Sequence, residues 1–289
     1  MSDTAHQEKH FEAYIVSKLA AQGWKVGETL NYDTERALYP EDLVAWLEET
    51  QPAKWEKLRK DNGERAREVL MDRLAAALEK NGTIHVLRQG LSIAGCGHLD
   101  LSEAAPEDKR NADVLKRYAA NRLRVVPQLQ YHPSRKLAID LVMFINGIPV
   151  ATVELKTDFT QSAEAAMDQY RTDRLPYDPK TKRREPLLTF KRGAIVHFAM
   201  SDSDIQMATK LDGENTFFLP FNQGNDGRAG NPEREDKEYP VAYFWEQVCQ
   251  PDAWLRIFHS FVYMEKKDVV DLKGNWSKKE TLIFPRFHQ

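Results

Sequence analysis

The stretch Asp140-LVMFINGIPVATV-Glu154-Leu155-Lys156 places three charged residues on two runs that are otherwise almost wholly apolar. Carboxylates and ammonium groups are rarely buried without a partner or a metal. The Asn146-Gly147 pair between the runs signals a β-hairpin. Alternation puts Glu154 and Lys156 on one face of the second strand, with Leu155 on the other. A strict two-residue turn would pair Asp140 with Val153 and leave the two acids on opposite faces. One extra loop residue, or a bulge, would instead pair Asp140 with Glu154. Two carboxylates brought together repel one another, and a divalent cation with a preference for oxygen resolves the conflict; Mg²⁺ suits such a site. A water on that metal becomes a nucleophile for phosphodiester cleavage, with Lys156 placed to orient it or offset phosphate charge. The competing reading is a buried Asp–Lys or Glu–Lys pair that holds the hairpin together.

The remaining acid-x-Lys spacings, such as Glu107/Lys109 and Asp178/Lys180, lie in polar surroundings where a solvated pair is the default. The chain has 289 residues, 42% hydrophobic and 10% aromatic, enough for one large domain or two modest ones. Its net charge of −3 argues against indiscriminate nucleic-acid coating but leaves room for a local basic face. Lys182, Arg183 and Arg184, in the basic stretch Lys180-TKRR-Glu185, are candidates to track DNA phosphates, with a solvated charged loop as the alternative. Two cysteines, Cys96 and Cys249, are too few for a disulfide framework. No apolar run approaches the ~20 residues of a membrane span. The N-terminus lacks a signal-peptide pattern, so a cytoplasmic location is expected.

Helical patterns are expected over residues 8–21, from Pro40, through RAREVLMDRLAAALEK, through DKRNADVLKRYAANR, and from Ser162 to before Pro176. The aromatic-rich stretch PVAYFWEQVCQPDAWLRIFHSFVYME is also read as helix, broken near Pro251. Strand composition is read in TIHVLRQGLSI, LRVVPQLQYH, the hairpin itself, Gly193-AIVHFAM and NTFFLPF. This order gives an α+β, or mixed α/β, fold with a central mixed sheet flanked by helices.

Asp140, then Glu154-Leu155-Lys156, preceded by a Glu-bearing helix and followed by a helix carrying Gln169, resembles the PD-(D/E)xK nuclease superfamily, with its restriction-endonuclease-like core. The series FINGIPVATVELK, DQYRTDRLP, KRGAIVHFAM and TFFLPFNQG more specifically resembles the N-terminal region of the restriction, or motor, subunit of type I restriction–modification enzymes. The resemblance implies Mg²⁺-dependent cleavage of double-stranded DNA, in a complex with methylation and specificity subunits that translocates DNA using ATP. It assigns Asp140 and Glu154 as metal ligands, with the Leu155 carbonyl as a further one, and makes Lys156 and Gln169 catalytic. The N-terminal acid is Glu8 or Glu12, with Glu12 favoured as a metal ligand. Relatives often carry Gln-x-x-x-Tyr, whereas here Tyr170 directly follows Gln169 and Asp173 stands at the expected Tyr position.

At the C-terminus, Ile283-FPRFHQ resembles the segment that opens the ATPase motor. The resemblance implies that Phe284, Arg286 and Gln289 contact the nucleotide in the full-length subunit. No Gly-x-x-x-x-Gly-Lys-[Ser/Thr] phosphate loop occurs in the chain. The expected division is therefore a nuclease domain over 1–265 and a linker with the start of the motor over 266–289, in a chain that looks like a fragment needing ATP only at full length. The competing functions are a non-catalytic DNA- or subunit-binding scaffold with a nuclease-like fold, and a stand-alone repair or recombination nuclease.

Overall fold

The computed structural model describes residues 3–108, 110–157, 162–270 and 274–287. The chain opens with α1 (Asp3–Ala21), followed by the short β1 (Lys25–Val26). Phe11, Ile15 and Leu19 of α1 are all buried. Each contributes about 1.5–3 kcal/mol through burial, which explains how a helix with so many charges is held in place. Next comes a helical layer: α2 (Pro40–Thr50), α3 (Pro52–Asn62), α4 (Ala66–Asn81) and α5 (Thr83–Gln89). Proline occupies the first turn of both α2 and α3, where its missing N–H costs nothing.

A small hairpin of β2 (Leu91–Ile93) and β3 (Gly97–Leu99), then α6 (Ala112–Ala119), lead into the main sheet. That sheet contains β4 (Leu123–Gln130), β5 (Ala138–Ile145) and β6 (Ile148–Leu155). After α7 (Ala163–Thr172) it gains β7 (Val196–Met200), β8 (Ile205–Ala208) and β9 (Leu219–Pro220). The spatial order is β1-β4-β5-β6-β7-β8-β9. The β1–β4 and β6–β7 pairs are parallel and the other neighbours antiparallel, so the sheet is mixed.

β6 lies at the centre of the sheet and is buried along its whole length. Leu141, Met143, Val153 and Leu155 enter the larger core with α1, α2 and α4, while Val142 and Phe144 enter a smaller one with Tyr170 of α7. Asp140, Thr152 and Glu154 therefore share the face that α7 covers.

Two stretches depart from the sequence reading. Residues 83–89, read as strand from composition, form α5. Thr83, Val86 and Leu87 are its buried positions, which is helical spacing, and Gly82 at φ +86° separates it from α4. The aromatic C-terminal helix is also shorter than expected. A π-helical turn at Phe244–Val248, α8 (Pro251–Arg256) and a second π turn at Ile257–Phe261 are followed by strand. Tyr263-Met264-Glu265 opens β10 (Tyr263–Val270), which pairs with β11 (Trp276–Ile283). Cross-strand pairing, invisible to local periodicity, takes these residues out of the helix. The hairpin spans the 265/266 position, and Leu282 and Phe284 beyond it are buried in the main core.

Candidate active site

The β5–β6 turn explains how the acids meet. Asn146 (φ +48°) and Gly147 (φ +81°) make a tight turn, with Ile145 opposite Ile148. A Cβ on Gly147 would stand 2.3 Å from the Tyr39 carbonyl oxygen, so only glycine fits. Asn146 is fully buried, accepting from Arg122 N (2.6 Å) and donating to the Leu101 carbonyl and Asn121 Oδ1 (each 2.9 Å). Two residues further from the turn the register shifts: Phe144 faces Pro149, but Met143 faces Ala151, leaving Val150 as the extra residue. A bulge beside a proline, which has no N–H to donate, is where strand irregularity is cheapest. Beyond it, Leu141 faces Val153. One step more brings Asp140 opposite Glu154.

Asp140 Oδ2 accepts from Leu155 N at 2.7 Å, and its Oδ1 accepts from Gln128 Nε2 at 3.1 Å. The same Gln128 nitrogen donates to Glu12 on α1. Glu154 is fully buried; its Oε1 accepts from Arg174 Nε, while its Oε2 has no hydrogen-bond partner. Burial, and then Asp140, push the Glu154 carboxyl up to about 8 despite Arg174. Glu12 is pushed up to about 7, again mainly by burial. Glu8 is raised by burial too. Lys156 Nζ lies 3.0 Å from the Leu155 carbonyl and 3.8 Å from Glu8 Oε2. Of the two N-terminal acids, Glu8 thus pairs with the lysine, whereas Glu12 is tied through Gln128 to Asp140.

On α7, Gln169 is half-buried and Tyr170 fully buried. The Tyr170 hydroxyl is 2.8 Å from Thr152 Oγ1, itself 2.8 Å from His197 Nδ1. Burial holds His197 down at about 3, so the ring is neutral. Tyr170 donating to Thr152, and Thr152 to His197 Nδ1, gives each hydroxyl an acceptor.

An orphaned buried carboxylate oxygen beside a second carboxylate is the donor set a hard divalent cation takes. The family model for the type I restriction enzyme R protein N terminus matches residues 6–216. The chain belongs to this family. A comparison with curated proteins gives no match.

Two residues that the sequence did not single out sit in this R-protein site. Arg174, at the end of the DQYRTDR stretch, has a signal: a cation just past a helix, next to an apolar residue and a proline. Gln128 has none, being one polar residue in an alternating strand. The sequence reading offered Lys156 as the ion-pair partner of Glu154; the direct bond is from Arg174 instead.

The other expected positions lie elsewhere. Lys182, Arg183 and Arg184 are exposed. Arg183 pairs with Glu35, Arg184 with Glu79 at 2.7 Å, and Lys182 lies over the Tyr177 ring. Phe284 is packed among Phe198, Phe221 and Phe258. Arg286 is exposed, and Gln289 is outside the described residues. No helix among the described residues is long and apolar enough to cross a membrane.

Proposed function

We propose that this chain is the Mg²⁺-dependent endonuclease module of a type I restriction R subunit. It would cut double-stranded DNA by phosphodiester hydrolysis, in a complex with methylation and specificity subunits driven by ATP in the full-length subunit. The observation that carries the reading is Glu154, buried with Oε2 unpartnered and brought opposite Asp140 by the bulge. Asp140, Glu154, the Leu155 carbonyl and Glu12 would hold the metal. When bound, Mg²⁺ supplies a Lewis acid and lowers the pKa of water.

The protein's own groups do the rest. Leu155 N and Gln128 fix the Asp140 carboxylate, so its oxygens need no reorganisation. Arg174 holds Glu154 by one oxygen and leaves the other for the site. Lys156, with its ammonium on the Leu155 carbonyl, is placed to offset charge on the attacked phosphate as water oxygen bonds to phosphorus and the P–O bond breaks. The hold of Arg174 on Glu154 favours one rival, a non-catalytic scaffold in which this is a structural ion pair.

In the assembled complex, Asp140→Ala and Lys156→Ala should each lower cleavage by at least about 10²-fold, the scale of losing one preorganised charge-stabilising group. ATP hydrolysis should continue. The scaffold reading requires the reverse: assembly or ATP turnover fails, or cleavage persists at the wild-type rate. Gel assays of cleavage and phosphate release on the same complexes separate the two.

A further inference from the structure

Gln128 lies in the middle of a regular ladder with a backbone that strands do not use. Pro127 pairs with Leu141 and Leu129 with Ile139, an unbroken register, so Gln128 stands opposite Asp140. Its φ is +48°, the left-handed region that non-glycine residues avoid unless the surroundings enforce it. Register does not require the distortion, since the pairs on both sides keep step. Burial of Gln128 itself does not require it, because the side chain is exposed; what the turn of the backbone does for packing is to bring Leu129 and Tyr131 into the same core as Val126.

The distortion accomplishes a second thing at the site. It delivers a single amide nitrogen to two carboxylates from elements far apart in sequence, Glu12 of α1 and Asp140 of β5. The amide orientation follows from chemistry, because carboxylates accept and only the nitrogen of Gln128 donates. Asp140 is then held at both oxygens, and Glu12 is drawn beside it.

We propose that Gln128 is a positioning residue of the cation site, gathering the carboxylate of α1 onto that of β5 so that a divalent ion meets three acids rather than two. The proposal rests on the metal-site reading given above. Partners that orient metal ligands typically change affinity by about 10–100-fold when removed. A mere clamp between α1 and the sheet would behave differently: its removal would lower stability and leave cation affinity alone.

Glycine at 128 distinguishes the roles, because it removes the amide and adopts φ +48° without strain. Mn²⁺ is titrated calorimetrically into the whole chain as wild type, Gln128→Gly, Gln128→Asn, Glu12→Gln and the double variant Glu12→Gln/Gln128→Gly. Asparagine tolerates the left-handed backbone but carries its amide one carbon short. Both single variants at 128 should bind Mn²⁺ about tenfold more weakly, while the melting temperature of Gln128→Gly stays level or rises. The double variant should lose clearly less than the sum of the two single losses, since Gln128 acts in part through Glu12. Unchanged affinity in Gln128→Gly, or losses that add in the double variant, overturns the proposal while wild-type uptake keeps the site itself. A wild-type chain that takes up no Mn²⁺ overturns the metal site and this role with it.

Discussion

Two of the acidic clusters among the described residues are opposite in chemistry. His132, Asp178 and Glu185 bring one ligand atom each within 4.8 Å of one another, the tighter-looking metal geometry. Yet that cluster already contains its cations and donors. Asp178 accepts from Thr181 N (2.7 Å), Lys180 N (2.9 Å) and Thr181 Oγ1 (3.1 Å), and pairs with Arg135 at 2.8 Å. His132 Nδ1 accepts from Ser134 N and Arg135 N, and its Nε2 lies within 3.4 Å of both carboxylates and 3.3 Å from Arg135 Nε. A metal there would have to displace Arg135 from both Asp178 and the His132 ring. At Glu154 one oxygen has no donor at all. Proximity of ligands is a weaker guide to a cation than an unmet electrostatic need.

The sharpest way to break this contrast is to remove one glutamate from each cluster. Glu154→Ala should abolish Mn²⁺ uptake and reduce cleavage in the assembled complex by about 10²-fold or more. Glu185→Ala should leave both intact. Equal losses at the two positions, read by calorimetry and by a cleavage assay, would erase the distinction.

Next in size is the cost of removing each arginine. At a pH above 8, where Glu154 is ionised, Arg174→Ala strands a buried carboxylate and should destabilise the chain by about 3–5 kcal/mol in urea unfolding. Glu154→Gln in that background should recover part of the loss. Arg135 is partly exposed and Asp178 keeps its other donors, so Arg135→Ala should cost only about 0.2–1 kcal/mol. If the two arginines cost the same, the clusters do not differ as described.

The smallest effect is the pH dependence, which should run in opposite directions. Glu154, raised from an ordinary 4.5 to about 8, keeps a proton in the folded chain that the unfolded chain gives up. Its contribution to stability is complete below pH 4.5 and is lost as pH rises through 8. Asp178 is held down at about 2 by the backbone and hydroxyl donors of residues 180–181, chiefly Thr181. Its contribution is present above pH 3.8 and is lost as pH falls through 2. Melting curves in EDTA should therefore show Glu154→Gln flattening the alkaline limb and Asp178→Asn the acid limb. A Glu154→Gln curve parallel to wild type between pH 5 and 8 would contradict the assignment.

The hairpin was legible in the sequence because its signals are local: apolar runs, Asn146-Gly147, and charges where none belong. Even the choice of register could be framed, as strict turn against bulge, although only the structure shows that Val150 is the extra residue. α5 was misread because Thr, Ile and Val suggest strand, whereas the buried Thr83, Val86 and Leu87 follow a helical repeat too short to stand out. β10 was misread because its stability comes from β11, beyond any local window. Arg174 and Gln128 were missed for a related reason. Their roles depend on which distant carboxylate they reach, and nothing in their neighbours encodes that.

α1 brings Glu8 and Glu12 to Lys156 and, through Gln128, to Asp140, and it is clamped from behind by a segment more than 220 residues later. Tyr14 bonds Glu238, and Phe11 and Tyr14 stack on Tyr239 and Trp245. This clamp on α1 therefore waits for residues synthesised more than 220 positions later. Such long-range closure is slow, and it sets an order of events during synthesis. The hairpin with Asp140 and Glu154 emerges well before the segment that locks Glu12 beside it. A nascent chain lacking residues 238–245 has the inner pair of acids and Gln128 to receive the third, but the helix that carries Glu12 still lacks its aromatic clamp, so the site matures last, as a final act of assembly rather than an early one.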